Sequence, residues 1–205
     1  MGDEKVKLLF DTDIGSDIDD AVALAYLLSQ PRCDLLGVTT VTGQPERRAE
    51  MVSAMCRHVG RGGVPVHAGC PEALLIAMRQ TTAGQADALG DRDRRREFPP
   101  NTAVEFLRDT IRANPGEVTL LAVGPMTNLG LLFAIDPALP GMLKQLVLMC
   151  GRFFDAMGGE WNAIGDPHAT AIVYGHGGQA RPPRHVSYGL DVTTVSYTHL
   201  TLPTN

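Results

Sequence analysis

The sequence has little of what several classes of protein require. It carries 18 Lys and Arg against 23 Asp and Glu, so a net charge of −5 leaves no basic excess for binding a nucleic acid polymer. Its longest apolar run, residues 21–28, is less than half of the ~20 residues that a membrane span needs. The apolar run before Asp11 covers only residues 8–10, which is too short for a signal peptide. We therefore expect a cytoplasmic protein whose partners include neither nucleic acid polymers nor membranes.

Cysteine is scarce as well. The four cysteines, at positions 33, 56, 70 and 150, form no C-x-x-C pair and show no zinc-like spacing. Reduced thiols fit a cytoplasmic protein, and a chain of 205 residues is long enough to fold as one domain without a disulfide or a structural metal.

Apolar runs alternate regularly with helical patterns along the chain. The runs predict strands at residues 6–10, 35–41, 64–67, 118–123, 146–149 and 186–189. Helices are predicted at residues 20–29, 45–59, 102–113 and 127–135 and again after Asp166. This alternation indicates an α/β fold with a Rossmann-like, mostly parallel sheet covered by helices on both faces.

Finer patterns refine this prediction. The first helix is apolar all round, which suits a helix buried against such a sheet. Asp166 before a proline is typical of a helix N-cap, and Thr127 with Asn128 is predicted to cap the helix that they open. Residues 69–100 are irregular, and their charged run at 91–97 is expected to face solvent.

An acidic cluster follows the first predicted strand. Residues 11–20 read DTDIGSDIDD and contain five aspartates, with no basic residue before Arg32. Strand periodicity places Asp11 and Asp13 on one side, and Gly15 permits a sharp turn. The helix dipole favours acidic residues at a helix start by only ~0.3–1 kcal/mol each, which does not offset the repulsion within the cluster. Convergent oxygen ligands indicate a site for Ca²⁺ or Mg²⁺. Taken singly, Asp17 is equally well explained as a solvated loop residue and Asp19 as a helix N-cap.

Three chemistries could use this cluster. An EF-hand counted from Asp11 needs Gly and Glu where the chain has Ser16 and Val22, so that interpretation fails. A haloacid-dehalogenase-like phosphatase would use Asp11 as nucleophile and Asp13 as acid/base with Mg²⁺, but the following residues, Ile14 and Gly15, depart from its pattern. The third chemistry rests on a family resemblance.

Residues 8–28 (LLFDTDIGSDIDDAVALAYLL) resemble the N-terminal signature of the inosine–uridine-preferring nucleoside hydrolases. Two later blocks agree in order and spacing: residues 120–133 resemble the GPLTN segment of that family, and residues 151–169 resemble its E-F-N…D-P segment. The resemblance covers roughly residues 7–193. It implies a nucleoside hydrolase-like fold and Ca²⁺-dependent hydrolysis of ribonucleosides to ribose and free base, as in purine and pyrimidine salvage.

Carried over by position, the resemblance also implies roles for single residues. Asp13 would bind Ca²⁺ and act as the general base, with Asp20 and the main-chain oxygen of Val123 as further metal ligands. Ribose hydroxyls would be held by three side chains: Asp19, Glu160 and Asn162.

The chain departs from the family pattern at several places. Two extra residues between Gly15 and the Asp19–Asp20 pair make Asp17 an alternative to Asp19 in holding ribose. Gln44 stands where the family usually offers an asparagine to the sugar. The family's later His–Asp pair, which completes the metal shell and protonates the leaving base, has no counterpart.

These departures lead to further expectations. We interpret residues 1–195 as a partial nucleoside hydrolase-like domain, incomplete at its C-terminus, and residues 196–205 as a foreign or disordered tail. The 205 residues are expected to bind Ca²⁺ weakly and to turn over a small-molecule nucleoside substrate poorly. A non-catalytic module that binds ribose or Ca²⁺ is the remaining alternative, and the sequence leaves base preference and oligomeric state open, a homo-oligomer included.

Overall fold

A six-stranded parallel sheet forms the centre of the computed structural model, which describes residues 5–154, 158–176 and 184–193. Its strands are β1 (Val6–Thr12), β2 (Cys33–Thr40), β3 (Val66–Ala68), β4 (Thr119–Ala122), β5 (Gln145–Met149) and β6 (His185–Tyr188). They lie in the order β3-β2-β1-β4-β5-β6, and every pairing is parallel. This confirms the Rossmann-like fold class predicted from the alternating pattern. The expected tail at 196–205 lies outside the described residues.

Helices cover both faces of this sheet. They are α1 (Asp19–Ser29), α2 (Pro45–His58), α3 (Ala103–Ala113), α4 (Thr127–Ile135), α5 (Trp161–Gly165), α6 (Pro167–Tyr174) and α7 (Leu190–Thr193), with short 3₁₀ turns at Gly84–Leu89 and Leu139–Met142. Leu8 and Phe10 of β1 pack with α1 and α2, whereas Leu9 points to the opposite face, towards α3, α4 and α6. The alternation of a strand thus divides the core into two layers.

One prediction about the helices is wrong, and one holds on a single face. Helix α1 is buried against the sheet through Leu24, which is inaccessible to solvent, whereas Val22 and Tyr26 are 60% and 62% exposed. Only one face of the helix meets the sheet, and an all-apolar composition does not indicate which face that is. Thr127 and Asn128 do not cap α4, whose N-cap is Met126 with no side-chain hydrogen bond.

Asn128 instead connects three segments at the carboxyl edge of the sheet. Its Nδ2 donates to Asp11 Oδ1 at 2.7 Å and to the Thr40 carbonyl at 3.0 Å, and its Oδ1 accepts from the Cys70 amide at 3.0 Å. Asp11 also accepts from Thr39 Oγ1. Full burial raises the pKa of Asp11 to about 7, although the hydrogen bonds from Thr39 and Asn128 lower it.

Other observations agree with the sequence. Asp166 caps α6 by accepting from the Ala169 amide, as predicted, and its other oxygen accepts from Thr127 Oγ1 and the Leu74 amide. The four cysteines are free thiols. Among the described residues, no helix combines the length and the apolar character needed to cross a membrane.

The contact between α4 and α6 yields a first prediction. A Cβ on Gly130 would lie 2.7 Å from Ala169 Cβ and 2.8 Å from its Cα, so Gly130→Ala should lower the free energy of unfolding by about 1–2 kcal/mol despite the better helix propensity of Ala. Gly63→Ala is the matched control, because nothing lies within 4 Å of its added Cβ. Urea denaturation measures both, and equal stabilities would contradict the close packing.

The Asn128 contacts yield a second prediction. Asn128→Ala removes donors from a buried carboxyl group and an acceptor from a backbone amide, so it should cost about 3 kcal/mol of unfolding free energy. Asn114→Ala, which removes a half-buried amide that contacts Lys7, should cost less than about 1 kcal/mol. Denaturation of the two variants side by side tests the difference, and similar losses would show that the Asn128 network is not a special constraint.

Candidate active site

A cleft of about 720 Å³ opens at the carboxyl edge of the sheet, where the strand order reverses between β1 and β4. Ligands of open α/β sheets bind at such a reversal. Most of its lining residues are polar or acidic, and they come from the segments that follow β1, β3, β4, β5 and β6. They include Asp13, Ser16, Asp17, Asp19, Asp20, Gln80, Val123, Met149, Glu160, Trp161 and Asn162.

Asp13 and Asp20 form the buried part of this cleft. They are only 8% and 7% exposed, and their carboxyl groups lie within hydrogen-bonding distance of each other. Asp20 also accepts from Thr12 Oγ1 at 2.6 Å. Burial raises the pKa of Asp13 to about 6, although the nearby charge of Arg48 lowers it. Burial and repulsion from Asp13 raise the pKa of Asp20 well above its ordinary value.

Val123 follows β4 and lines the same cleft, and its carbonyl is the predicted main-chain metal ligand. Asn162 Nδ2 donates to this carbonyl at 2.6 Å and to the Met149 carbonyl at 3.1 Å. A carbonyl oxygen has two lone pairs, so one remains for another partner. Asn162, predicted to hold ribose, therefore also fixes the orientation of the carbonyl predicted to hold the metal.

Glu160 lines the cleft and caps helix α5 at the same time. Its carboxylate accepts from the backbone amides of Gly151, Asn162 and Ala163 at 2.7–3.1 Å, and it is 3% exposed. These three bonds fix the side chain at the wall of the cleft. A helix of five residues was not predicted, because so short a segment shows no period.

Asp17 and Asp19 are the exposed acids of the cluster, and both line the cleft. Asp17 Oδ1 accepts from the Ile18 amide at 3.0 Å, while Asp19 is the first residue of α1. Both remain candidates for binding a sugar hydroxyl.

Gln44 is the one site residue implied by the family resemblance that does not line the cleft. Its Oε1 accepts from the Ala83 amide at 3.1 Å, so it anchors the irregular segment instead. Gln80, carried by that segment, lines the cleft. Sequence reasoning missed Gln80, because an irregular segment gives no period from which to place a side chain.

Asp11 does not line the cleft either. It is inaccessible to solvent, and its carboxyl group accepts from Thr39 and Asn128. A nucleophile must reach its substrate, so the geometry does not support the phosphatase interpretation that depended on Asp11.

The donor set of the cleft fits a hard cation. It offers the carboxylates of Asp13 and Asp20 and the carbonyl of Val123, all of them oxygen ligands. Within the described ranges, no Lys or Arg forms an ion pair with either carboxyl group. Among the described residues, no group of three Asp, Glu, His or Cys side chains is arranged to hold a metal ion.

Comparisons with known proteins agree with this arrangement. The family model described as inosine-uridine preferring nucleoside hydrolase matches residues 8–204. The chain is 33% identical to probable uridine nucleosidase 2 of Arabidopsis thaliana over 94% of its own length, and 30% identical to the pyrimidine-specific ribonucleoside hydrolase RihB of Escherichia coli (strain SE11) over 93%. It covers 61% of the length of each of these two relatives.

Solved structures show the same fold. A plant nucleoside hydrolase superimposes with a TM-score of 0.77 at 24% identity over 91% of this chain and 60% of its own. An inosine-guanosine nucleoside hydrolase gives 0.74 at 26% identity over 93% of this chain and 62% of its own. The residues quoted for the resemblance, the fold and the family model agree. The chain therefore belongs to the inosine–uridine preferring nucleoside hydrolase family.

Proposed function

We propose that the protein hydrolyses the N-glycosidic bond of ribonucleosides, giving ribose and a free base. One observation carries the proposal: a single cleft at the reversal point of the sheet is lined by the buried pair Asp13 and Asp20, by Val123 and by the polar residues Glu160 and Asn162. Its volume of about 720 Å³ lies within the range of small-molecule sites.

Asp13 and Asp20, with the Val123 carbonyl, would hold Ca²⁺. When bound, the cation supplies Lewis-acid polarisation that makes a water molecule easier to deprotonate. Asp13 accepts the proton of the attacking water at its carboxylate. The water oxygen bonds to C1′ while the bond from C1′ to the base breaks, and positive charge develops on the ribosyl ring. The base leaves with the electron pair of the broken bond and takes up a proton from solvent.

The remaining polar side chains position the sugar. Glu160 is fixed by three backbone amides and has lone pairs left for a ribose hydroxyl, and Asn162 lies beside it. Asp17 or Asp19 would accept a hydrogen bond from another ribose hydroxyl. Holding the sugar in this way aligns C1′ with the attacking water, which lowers the entropic part of the barrier.

Metal binding by these 205 residues is proposed to be weak. Ca²⁺ takes six to eight oxygen ligands, and the cleft offers two carboxylates and one carbonyl. Water and sugar hydroxyls would have to fill the other positions, so turnover is expected to be slow and to need a high Ca²⁺ concentration. The cytoplasmic location and a place in nucleoside salvage remain part of this proposal.

Asp13→Asn should reduce ribose release from uridine and inosine at least ~100-fold, because Asn cannot accept the proton from water. Reducing-sugar assays at saturating Ca²⁺ measure the release. Asp109→Asn is the matched control, since this exposed residue of α3 lies outside the cleft and pairs only with Arg108.

The outcomes separate the candidate functions. Release that requires Ca²⁺ and is lost in the Asp13 variant supports the proposal, and unchanged turnover in that variant would overturn the role of Asp13. Nucleoside binding in calorimetry without bond cleavage at any Ca²⁺ concentration would overturn the enzymatic proposal and favour a binding module.

A further inference from the structure

Arg48 of helix α2 is the largest fully buried side chain in the described part of the chain. Its guanidinium group donates to the loop after β1, to the loop after β2 and to the irregular segment before the first 3₁₀ turn. The acceptors are the carbonyls of Asp13, Ile14 (2.9 Å), Thr42 (2.8 Å) and Thr82 (3.3 Å) and the hydroxyl of Ser16 (2.8 Å). One side chain thus joins three chain segments at the edge of the cleft.

These partners are unusual for a buried arginine. Fully buried arginines are rare unless paired with a carboxylate, yet Arg48 forms no ion pair within the described ranges. Its donors are used on main-chain oxygens and one hydroxyl instead. A guanidinium group has five N–H bonds in a rigid plane, so each acceptor is held at a defined place relative to the others.

One of these acceptors is the main-chain carbonyl of Asp13, whose side chain is a proposed metal ligand. The carbonyl and the carboxylate of Asp13 branch from one Cα, so fixing the carbonyl restricts where the carboxylate can lie. The loop then turns at Gly15, whose φ of +106° disfavours any other residue. The start of the loop is also held by Thr12 Oγ1, which accepts from the Ile14 amide and donates to Asp20.

The charge of Arg48 and its hydrogen bonds have opposite effects on Ca²⁺ binding. The guanidinium group is near enough to lower the pKa of Asp13, and by the same Coulomb interaction it opposes a cation bound there. Removing the charge alone should therefore tighten Ca²⁺ binding. Removing the hydrogen bonds should weaken it, because the ligands lose their fixed arrangement.

We propose that Arg48 is a positioning residue, which holds the loop after β1 in the geometry that lets Asp13 and Asp20 bind the cation together. The inference rests on the proposed function, since it assumes that this pair binds Ca²⁺. Outer-shell partners of metal ligands commonly change metal affinity 10–100-fold when they are replaced.

Calorimetric titration with Ca²⁺ tests the inference without relying on catalysis. Arg48→Met should weaken Ca²⁺ binding at least ~10-fold, and Arg48→Lys, which keeps the charge but not the planar fork, should also weaken it. Each variant is measured well below its own melting temperature, so that loss of folded protein does not enter the affinity.

Arg94→Met is the matched control. The Arg94 side chain is only 8% exposed and pairs with Glu50, but its contacts lie outside the loop after β1. This variant should lower the melting temperature and leave the Ca²⁺ affinity of the folded protein unchanged.

Each result has a separate meaning. Unchanged affinity in the Arg48 variants would overturn the positioning role, and tighter binding would show that Arg48 acts only as an opposing charge, which also overturns it. No Ca²⁺ binding by the unaltered chain would instead overturn the metal part of the proposed function.

Discussion

Two buried carboxyl groups within hydrogen-bonding distance of each other impose the constraint on which the rest of the site depends. Asp13 and Asp20 cannot both carry a charge there unless a positive charge lies between them; otherwise one of them takes up a proton. The fold nevertheless holds them together: Thr12 donates a hydrogen bond to Asp20, and Arg48 donates one to the main-chain carbonyl of Asp13. The polar layer beneath them, centred on Asn128, fixes the ends of the strands from which these loops emerge. The fold therefore keeps two mutually repelling carboxyl groups close together, which is the arrangement expected of a cation site.

Most of the fold could be predicted from the sequence, because a parallel sheet buried on both faces leaves nearly continuous apolar runs. Strand and helix positions agreed with the structure to within a few residues. Helix α1 shows the limit of this reasoning: an apolar composition cannot reveal that Val22 and Tyr26 face outwards, since nothing in the local pattern distinguishes them from the buried Leu24. The short helices α5 and α7 were missed because four or five residues contain barely one helical turn.

The candidate site was predictable only where its residues adjoin in sequence or match a family motif. The acids of the cluster, with Glu160 and Asn162, belong to that group, and the cleft brings them together. Contacts that depend on tertiary packing were not predictable. Gln44 points to the Ala83 amide rather than into the cleft, and Gln80 takes a place there. Arg48 reads in sequence as an ordinary solvated residue of an amphipathic helix, and only the close approach of three loops reveals its role.

The most direct measurement of the central claim is thermal unfolding of the unaltered chain and of a variant with Asp13→Asn and Asp20→Asn combined, with and without Ca²⁺. Ca²⁺ should raise the melting temperature of the unaltered chain, because the cation binds the folded state. The double variant should melt higher than the unaltered chain when Ca²⁺ is absent, since the repulsion is gone, and it should not respond to Ca²⁺. An unaltered chain that is insensitive to Ca²⁺, with a double variant no more stable than it, would contradict the account.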